Sequence, residues 1–168
     1  MERLDSSRKW YVAYTLPKSE KKVAREIEDY GFESFLPLQK VIRQWSDRKK
    51  VLHVPLIPSY VFFCSNNSSF HRLLDIEGLV KFVSFEGIPA TIPDREIQYL
   101  RKLNLKDFKL EVVDYQIKSD GRIKVTYGPL KGIEGFFALR NGKKWITINI
   151  DALQRAVSIE IPEGAQAK

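Results

Sequence analysis

The residues best able to do chemistry are few: two histidines, His53 and His71, and one cysteine, Cys64. None has another soft ligand three or four positions away, the spacing a zinc site would show, so no metal centre is expected. Cys64 alternates inside the apolar run Tyr60-Val61-Phe62-Phe63-Cys64 and reads as a small buried hydrophobe, not a nucleophile. Gly128, Gly132 and Gly135 lack the GxxxxGK[ST] order and lead into a strand pattern, which argues against a phosphate-binding loop. Asp94 and Glu96 open a helix, where the dipole accounts for acidic groups without acid-base work. No catalytic set results, and neither an enzyme nor a cofactor is expected.

What remains are basic residues interleaved with aromatics. Arg43-Gln44-Trp45-Ser46-Asp47-Arg48-Lys49-Lys50 holds four cations, one acid and an indole, a mixture suited to phosphate contact and base stacking. The same run could equally be a solvated turn. Lys18, Lys21, Lys22 and Arg25 form a second cluster, which could also be the wet face of a helix. With 28 basic against 21 acidic residues the chain carries +7 and a pI near 9.4, a balance that favours a polyanionic partner or an acidic protein surface.

The elements that must position these groups follow from periodicity. Trp10 to Thr15 reads as a buried strand, and Pro17-Lys18-Ser19 opens a helix with Val23, Ile27 and Tyr30 on one face and Gly31 at its end. Phe32 to Val41 and Val51 to Val54 are extended, making the basic run a hairpin tip. Tyr60 to Cys64 is a strand, followed by a helix carrying Phe70, Leu73 and Leu74, a strand over Val80 to Phe85, and a helix presenting Ile97, Leu100 and Leu103.

After Leu105 the period is lost. We read residues 1–108 as one domain, 109–117 as a linker, 118–163 as a second domain and 164–168 as a tail. In the second domain Ile123, Val125 and Tyr127, then Ile146, Ile148 and Ile150, then Val157, Ile159 and Ile161 alternate cleanly. That pattern predicts four or five strands closed into a small barrel. The fold class is therefore α+β, with an antiparallel sheet and flanking helices followed by an all-β barrel. At 168 residues the chain has no apolar run near the roughly 20 residues of a membrane span. With no secretory signal at Met1 to Arg8 and a single cysteine, a cytoplasmic protein is expected.

Two stretches together resemble a known family. Trp10-Tyr11-Val12-Ala13-Tyr14-Thr15, a helix, and Pro55-Leu56-Ile57-Pro58-Ser59-Tyr60-Val61-Phe62 resemble the N-terminal (NGN) domain of NusG transcription elongation factors. Val125-Thr126-Tyr127-Gly128-Pro129-Leu130-Lys131-Gly132-Ile133-Glu134-Gly135 resembles the KOW motif that opens an SH3-like barrel. The resemblance implies a monomeric factor that binds the clamp helices of RNA polymerase through Tyr14, Tyr60 and Phe62 and contacts DNA or RNA of the elongation complex.

Within the family, the Pro-Leu-Ile-Pro-Ser-Tyr run and Phe70-His71-Arg72-Leu73 are similar to the specialised RfaH-type factors, which implies an operon-specific antiterminator. By that likeness His71 would touch the polymerase gate loop and Lys22 would face the exposed DNA strand, with Arg72 beside them. Glu77 departs from the pattern, since a basic DNA contact is expected there. The barrel would recruit the small-subunit ribosomal protein that doubles as NusE, or Rho, through Leu153. The other class the residues allow is a KOW-containing ribosome-associated or RNA-binding module.

Overall fold

The computed structural model describes residues 8–66, 68–104, 108–115 and 121–168. The chain divides into two compact units, residues 1–97 and 98–168. In order, the elements to the second helix are β1 (Lys9–Thr15), α1 (Glu20–Asp29), β2 (Glu33–Phe35), β3 (Leu38–Gln44), β4 (Lys49–Pro55), β5 (Tyr60–Ser65), a 3-10 segment (Ser68–Asp75), β6 (Leu79–Phe82), β7 (Ser84–Phe85), β8 (Ile88–Pro89), β9 (Thr91–Ile92) and α2 (Asp94–Asn104).

The first unit is an antiparallel sheet in the order β2-β5-β1-β6, with β9 also paired to β1. Alternation along β1 and β5 sends Ala13, Val61 and Phe63 to one face, where they pack with Val23 and Ile27 of α1, with Phe70 and Leu73 of the 3-10 segment and with Ile76 just after it. α1 ends as expected at Gly31, whose φ of +86° is the left-handed value a residue with a side chain resists. Trp10, Val12 and Tyr14 point the other way, each directly opposite Cys64, Phe62 and Tyr60. Trp10, Val12, Phe62 and Cys64 are buried there, so both sides of the sheet are covered over most of its length. Burial also pushes the Cys64 thiol up, as expected of an inert packing group.

Three local expectations are adjusted. Phe32 to Val41 is broken at Leu36-Pro37 into β2 and β3, because proline has no N–H to continue a ladder. The helix expected around Phe70 is a 3-10 run, whose three residues per turn align Phe70 with Leu73 and leave Leu74 exposed. The strand over Val80 to Phe85 ends early at Phe82, and β7 turns away to pair with β8.

The second unit contains β10 (Leu110–Asp114), β11 (Arg122–Tyr127), β12 (Glu134–Arg140), β13 (Lys143–Ile150), a 3-10 turn (Asp151–Leu153), β14 (Arg155–Glu160) and β15 (Gln166–Ala167). Its sheet runs β10-β14-β13-β12-β11-β15, six strands where four or five were expected. The additional strands are β10, within the segment read as linker, and β15, within the segment read as tail. β10 has neither an apolar run nor clean alternation, and what holds it is its backbone ladder to β14 from Leu110–Ile159 to Asp114–Arg155.

β14 and β15 stand second and sixth in the sheet order, yet five residues join them. A flat sheet would ask that link to span about 19 Å. The link instead folds into a turn, with the Ala165 N–H donating to the Pro162 carbonyl at 3.1 Å, so the sheet curls on itself. Its interior is aliphatic: Val125, Leu130, Ile133, Ile146, Ile150, Val157 and Ile159 are fully buried. Gly135 makes this closure possible, since a Cβ there would stand 2.4 Å from the Thr147 carbonyl oxygen.

Candidate functional site

The residues singled out in the first unit fall into three groups on the molecule. The first is aromatic. Tyr14 and Tyr60 are a cross-strand pair with ring centroids 5.5 Å apart, half-buried at the end of the sheet face opposite α1. They border a cleft of 360 Å³ shared with Lys81, Val83 and Ser84. Phe62 does not belong to that exposed patch. It is wholly buried, and its ring stacks 6.2 Å from that of Phe35. The alternation that groups it with Tyr60 is real, but this face is covered at Phe62 and open only at Tyr60.

A local device holds Tyr60 in place. Ser59 adopts a φ of +67°, and its backbone N–H donates to Oε1 of Glu20 at 2.9 Å. Glu20 is buried in the first turn of α1, so helix and aromatic patch are tied through one carboxylate. Neither Glu20 nor Lys81 stands out in the sequence, because an acid at a helix start and a lone lysine in a strand are both common.

The second group is the basic hairpin. β3 and β4 form a two-stranded ribbon from Leu38–Pro55 to Gln44–Lys49, closed by a turn in which the Trp45 N–H donates to the Arg48 carbonyl at 2.8 Å. Arg43, Trp45, Arg48, Lys49 and Lys50 are all exposed, and the indole keeps 55% of its surface free. Ile42 and Val51 also face each other in the open, giving the ribbon an apolar spot beside its charges.

The third group is the α1 cluster. Lys21, Lys22 and Arg25 lie exposed on the helix, while Lys18 sits in the turn before it with a φ of +69°. Lys21 Nζ donates to the His53 carbonyl at 2.6 Å, which joins this cluster to β4 of the ribbon. Lys22 is an ion-pair partner of Glu77 and, at 3.9 Å, of Glu26. The hydrogen bond from Lys22 holds the Glu77 carboxyl below the usual glutamate range, and the same bond raises the Lys22 ammonium. The position where a second cation was expected therefore supplies an acid that neutralises the first.

His71 and Arg72 lie on the α1 side of the sheet. The His71 ring stacks on Phe70 at 5.4 Å and stays exposed, whereas Arg72 lies 5.1 Å over the Phe32 ring and donates to the Tyr30 carbonyl at 2.9 Å. The structure thus ties the α1 cluster to the ribbon through Lys21 and separates Tyr14 and Tyr60 from His71 by the thickness of the sheet. In the second unit Leu153 is only 8% exposed inside its 3-10 turn, so it is a core residue and not an apolar contact. Among the described residues no group of three His, Cys, Asp or Glu could hold a metal ion, and no helix is long and apolar enough to cross a membrane.

A family profile described as "Transcription termination factor nusG" matches residues 8–101, from β1 through most of α2. The chain belongs to the NusG family. Curated NusG proteins, each named "Transcription termination/antitermination protein NusG", resemble it along its length. That of Rickettsia bellii (strain RML369-C) is 23% identical, covering 92% of this chain and 87% of its own. That of Rickettsia conorii (strain ATCC VR-613 / Malish 7) is 25% identical over 92% and 86%. Among solved structures, "Domain interaction in Thermotoga maritima NusG" superimposes with a TM-score of 0.50 at 22% identity and covers 94% of both chains. The NusG fold therefore extends over both units, an N-terminal NGN domain and a KOW barrel. The protein is a non-enzymatic transcription termination/antitermination factor, which agrees with the lack of a catalytic set in its sequence.

Proposed function

We propose that this NusG-family protein is an operon-specific antiterminator that bridges the RNA polymerase cleft and suppresses pausing. The observation that carries this reading is the separation of its contact groups: Tyr14 and Tyr60 open on one face of the NGN sheet, and His71 is exposed on the other. A protein built so can hold the clamp helices with one face and the gate loop with the other. Because it would bind the closed, elongating polymerase better than the open, paused one, binding shifts the equilibrium between them by that difference in affinity. The ribbon and the α1 cluster, joined through Lys21 and His53, are positioned to follow exposed nucleic acid as one basic track.

The KOW barrel completes the proposal by recruiting the NusE-containing ribosomal subunit or Rho. With Leu153 buried, the apolar contact falls to exposed side chains such as Tyr127 and Leu139. Transcription in vitro on a paused template tests the reading. The protein is expected to shorten pauses, and Tyr60→Ala or His71→Ala to weaken the effect separately. Pausing unchanged by the wild-type protein on its cognate template, identified by mapping bound polymerase in cells, would reject it.

A further inference from the structure

The cleft beside the tyrosine pair has a chemistry that an apolar docking patch does not need. Tyr14, Tyr60, Lys81 and Ser84 bring two phenols, an ammonium and a hydroxyl to its walls, and Val83 is the one aliphatic side chain among the described residues that line it. Among the described residues no carboxylate lines it and Lys81 has no ion-pair partner. The register explains the convergence. Tyr14 is opposite Tyr60 on one side and Lys81 on the other, so the three side chains form a row across β5, β1 and β6 on one face.

The hairpin that brings Ser84 to the cleft also carries an exposed apolar pair. Phe85 and Ile88 face each other across a two-residue turn, Glu86-Gly87, in which both residues have positive φ, the geometry of a tight type I′ hairpin. They are 52% and 71% exposed, too much for a core pair. A site with an unneutralised cation and three hydroxyls, on a hairpin that also exposes an apolar pair, is complementary to an acidic side chain carried on an apolar surface.

We propose that this cleft is the seat of an aspartate or glutamate projecting from the helical partner of the NGN domain, selected by Lys81 and the tyrosine and serine hydroxyls, with Phe85 and Ile88 resting on apolar surface beside it. The proposal rests on the polymerase-binding reading above and adds to it a specificity residue, Lys81. At 360 Å³ the cleft admits a whole acidic side chain. Partners whose docking helix carries a cation at that position are refused, since two ammonium groups would meet in a partly desolvated site.

Binding of the full chain to purified core RNA polymerase from the same organism, over a salt series, tests this. Lys81→Glu is expected to weaken binding about tenfold or more, the loss that corresponds to roughly 1.4 kcal/mol. Lys81→Met is expected to weaken it less and to flatten its salt dependence, and Phe85→Ser with Ile88→Ser to weaken it without changing that dependence. A polymerase with an acid-to-lysine change on the docking helix should restore Lys81→Glu and reject the wild type. Tyr60→Ala reports on the underlying reading, with Tyr60→Phe as the control should the alanine variant fail to fold. If Tyr60→Ala weakens binding and both Lys81 variants bind like wild type, the acidic seat is wrong and the reading stands. If none of the variants weakens binding, both fall. Should the Lys81 variants lose affinity only for a bare single-stranded oligonucleotide, the cleft holds phosphate and the proposal is overturned.

Discussion

Glu20 and Ser59, 39 positions apart, share a single hydrogen bond of 2.9 Å that fixes where the aromatic patch begins. The carboxylate is buried and the residue it holds is in the left-handed region, immediately before Tyr60. Replacing Glu20 by alanine removes the acceptor of a partly buried N–H in a conformation that resists being adopted unaided. We expect a loss of about 1–3 kcal/mol in urea unfolding together with weaker polymerase binding. Glu20→Gln, which keeps a carbonyl acceptor, should recover most of both.

The Lys22–Glu77 pair predicts a stronger grip on nucleic acid once it is broken. Glu77→Gln should release Lys22 to phosphate, strengthening single-strand binding and steepening its log-log salt slope by about 0.7 for the one further phosphate neutralised. Fluorescence anisotropy over a salt series measures it, and an unchanged slope would mean that Lys22 never faces nucleic acid.

The same pair has a pH signature. Glu77 is depressed in the folded protein, so its contribution is present above its unfolded value and is lost as pH falls through the folded one. Lys22 is raised, so its share is lost only as pH climbs through its elevated value. Carboxyl NMR should show Glu77 titrating below ordinary glutamates, and Lys22→Ala should return it to their range.

At the ribbon, Arg48→Glu combined with Lys49→Glu should lower oligonucleotide affinity and leave thermal unfolding within the small range usual for exposed sites. Trp45→Ala should lower affinity with little change in salt slope, because stacking releases no counterions. Equal slopes in wild type and the double reversal would identify the hairpin as a solvated turn.

Gly135→Ala is the severe change. The added methyl would meet the Ile146 side chain at 2.9 Å and the Thr147 carbonyl oxygen at 2.4 Å, and that backbone oxygen cannot withdraw without disturbing the β12–β13 pairing. A loss of about 3 kcal/mol is expected, seen as early melting of the KOW unit by amide exchange while NGN amides keep their protection.

These residues also mark what the sequence could disclose. The ribbon and the alternating strands of the barrel were readable because turn chemistry and period-two alternation are local properties. Phe62 and Leu153 were not. The first lies in a strand covered on both faces, where alternation no longer separates core from surface, and the second in a single 3-10 turn too short to show a period. β10 escaped because pairing to β14 is a matter of backbone hydrogen bonds between residues more than 40 positions apart. Lys81 became visible only when the register set it beside Tyr14.

β1 sits between β5 and β6 and also pairs with β9, so Trp10 at its start waits for Ile92 to complete its surroundings. At translation speeds of about 5–20 residues per second the ribosome needs roughly 4–16 s to make the residues between them. Until β5 has been made, a nascent chain carries Trp10-Tyr11-Val12-Ala13-Tyr14 as an apolar strand with no neighbour, and until Ile92 follows, its Trp10 end stays open. Synthesis rate over the first hundred codons then sets how long that edge of the strand stays open.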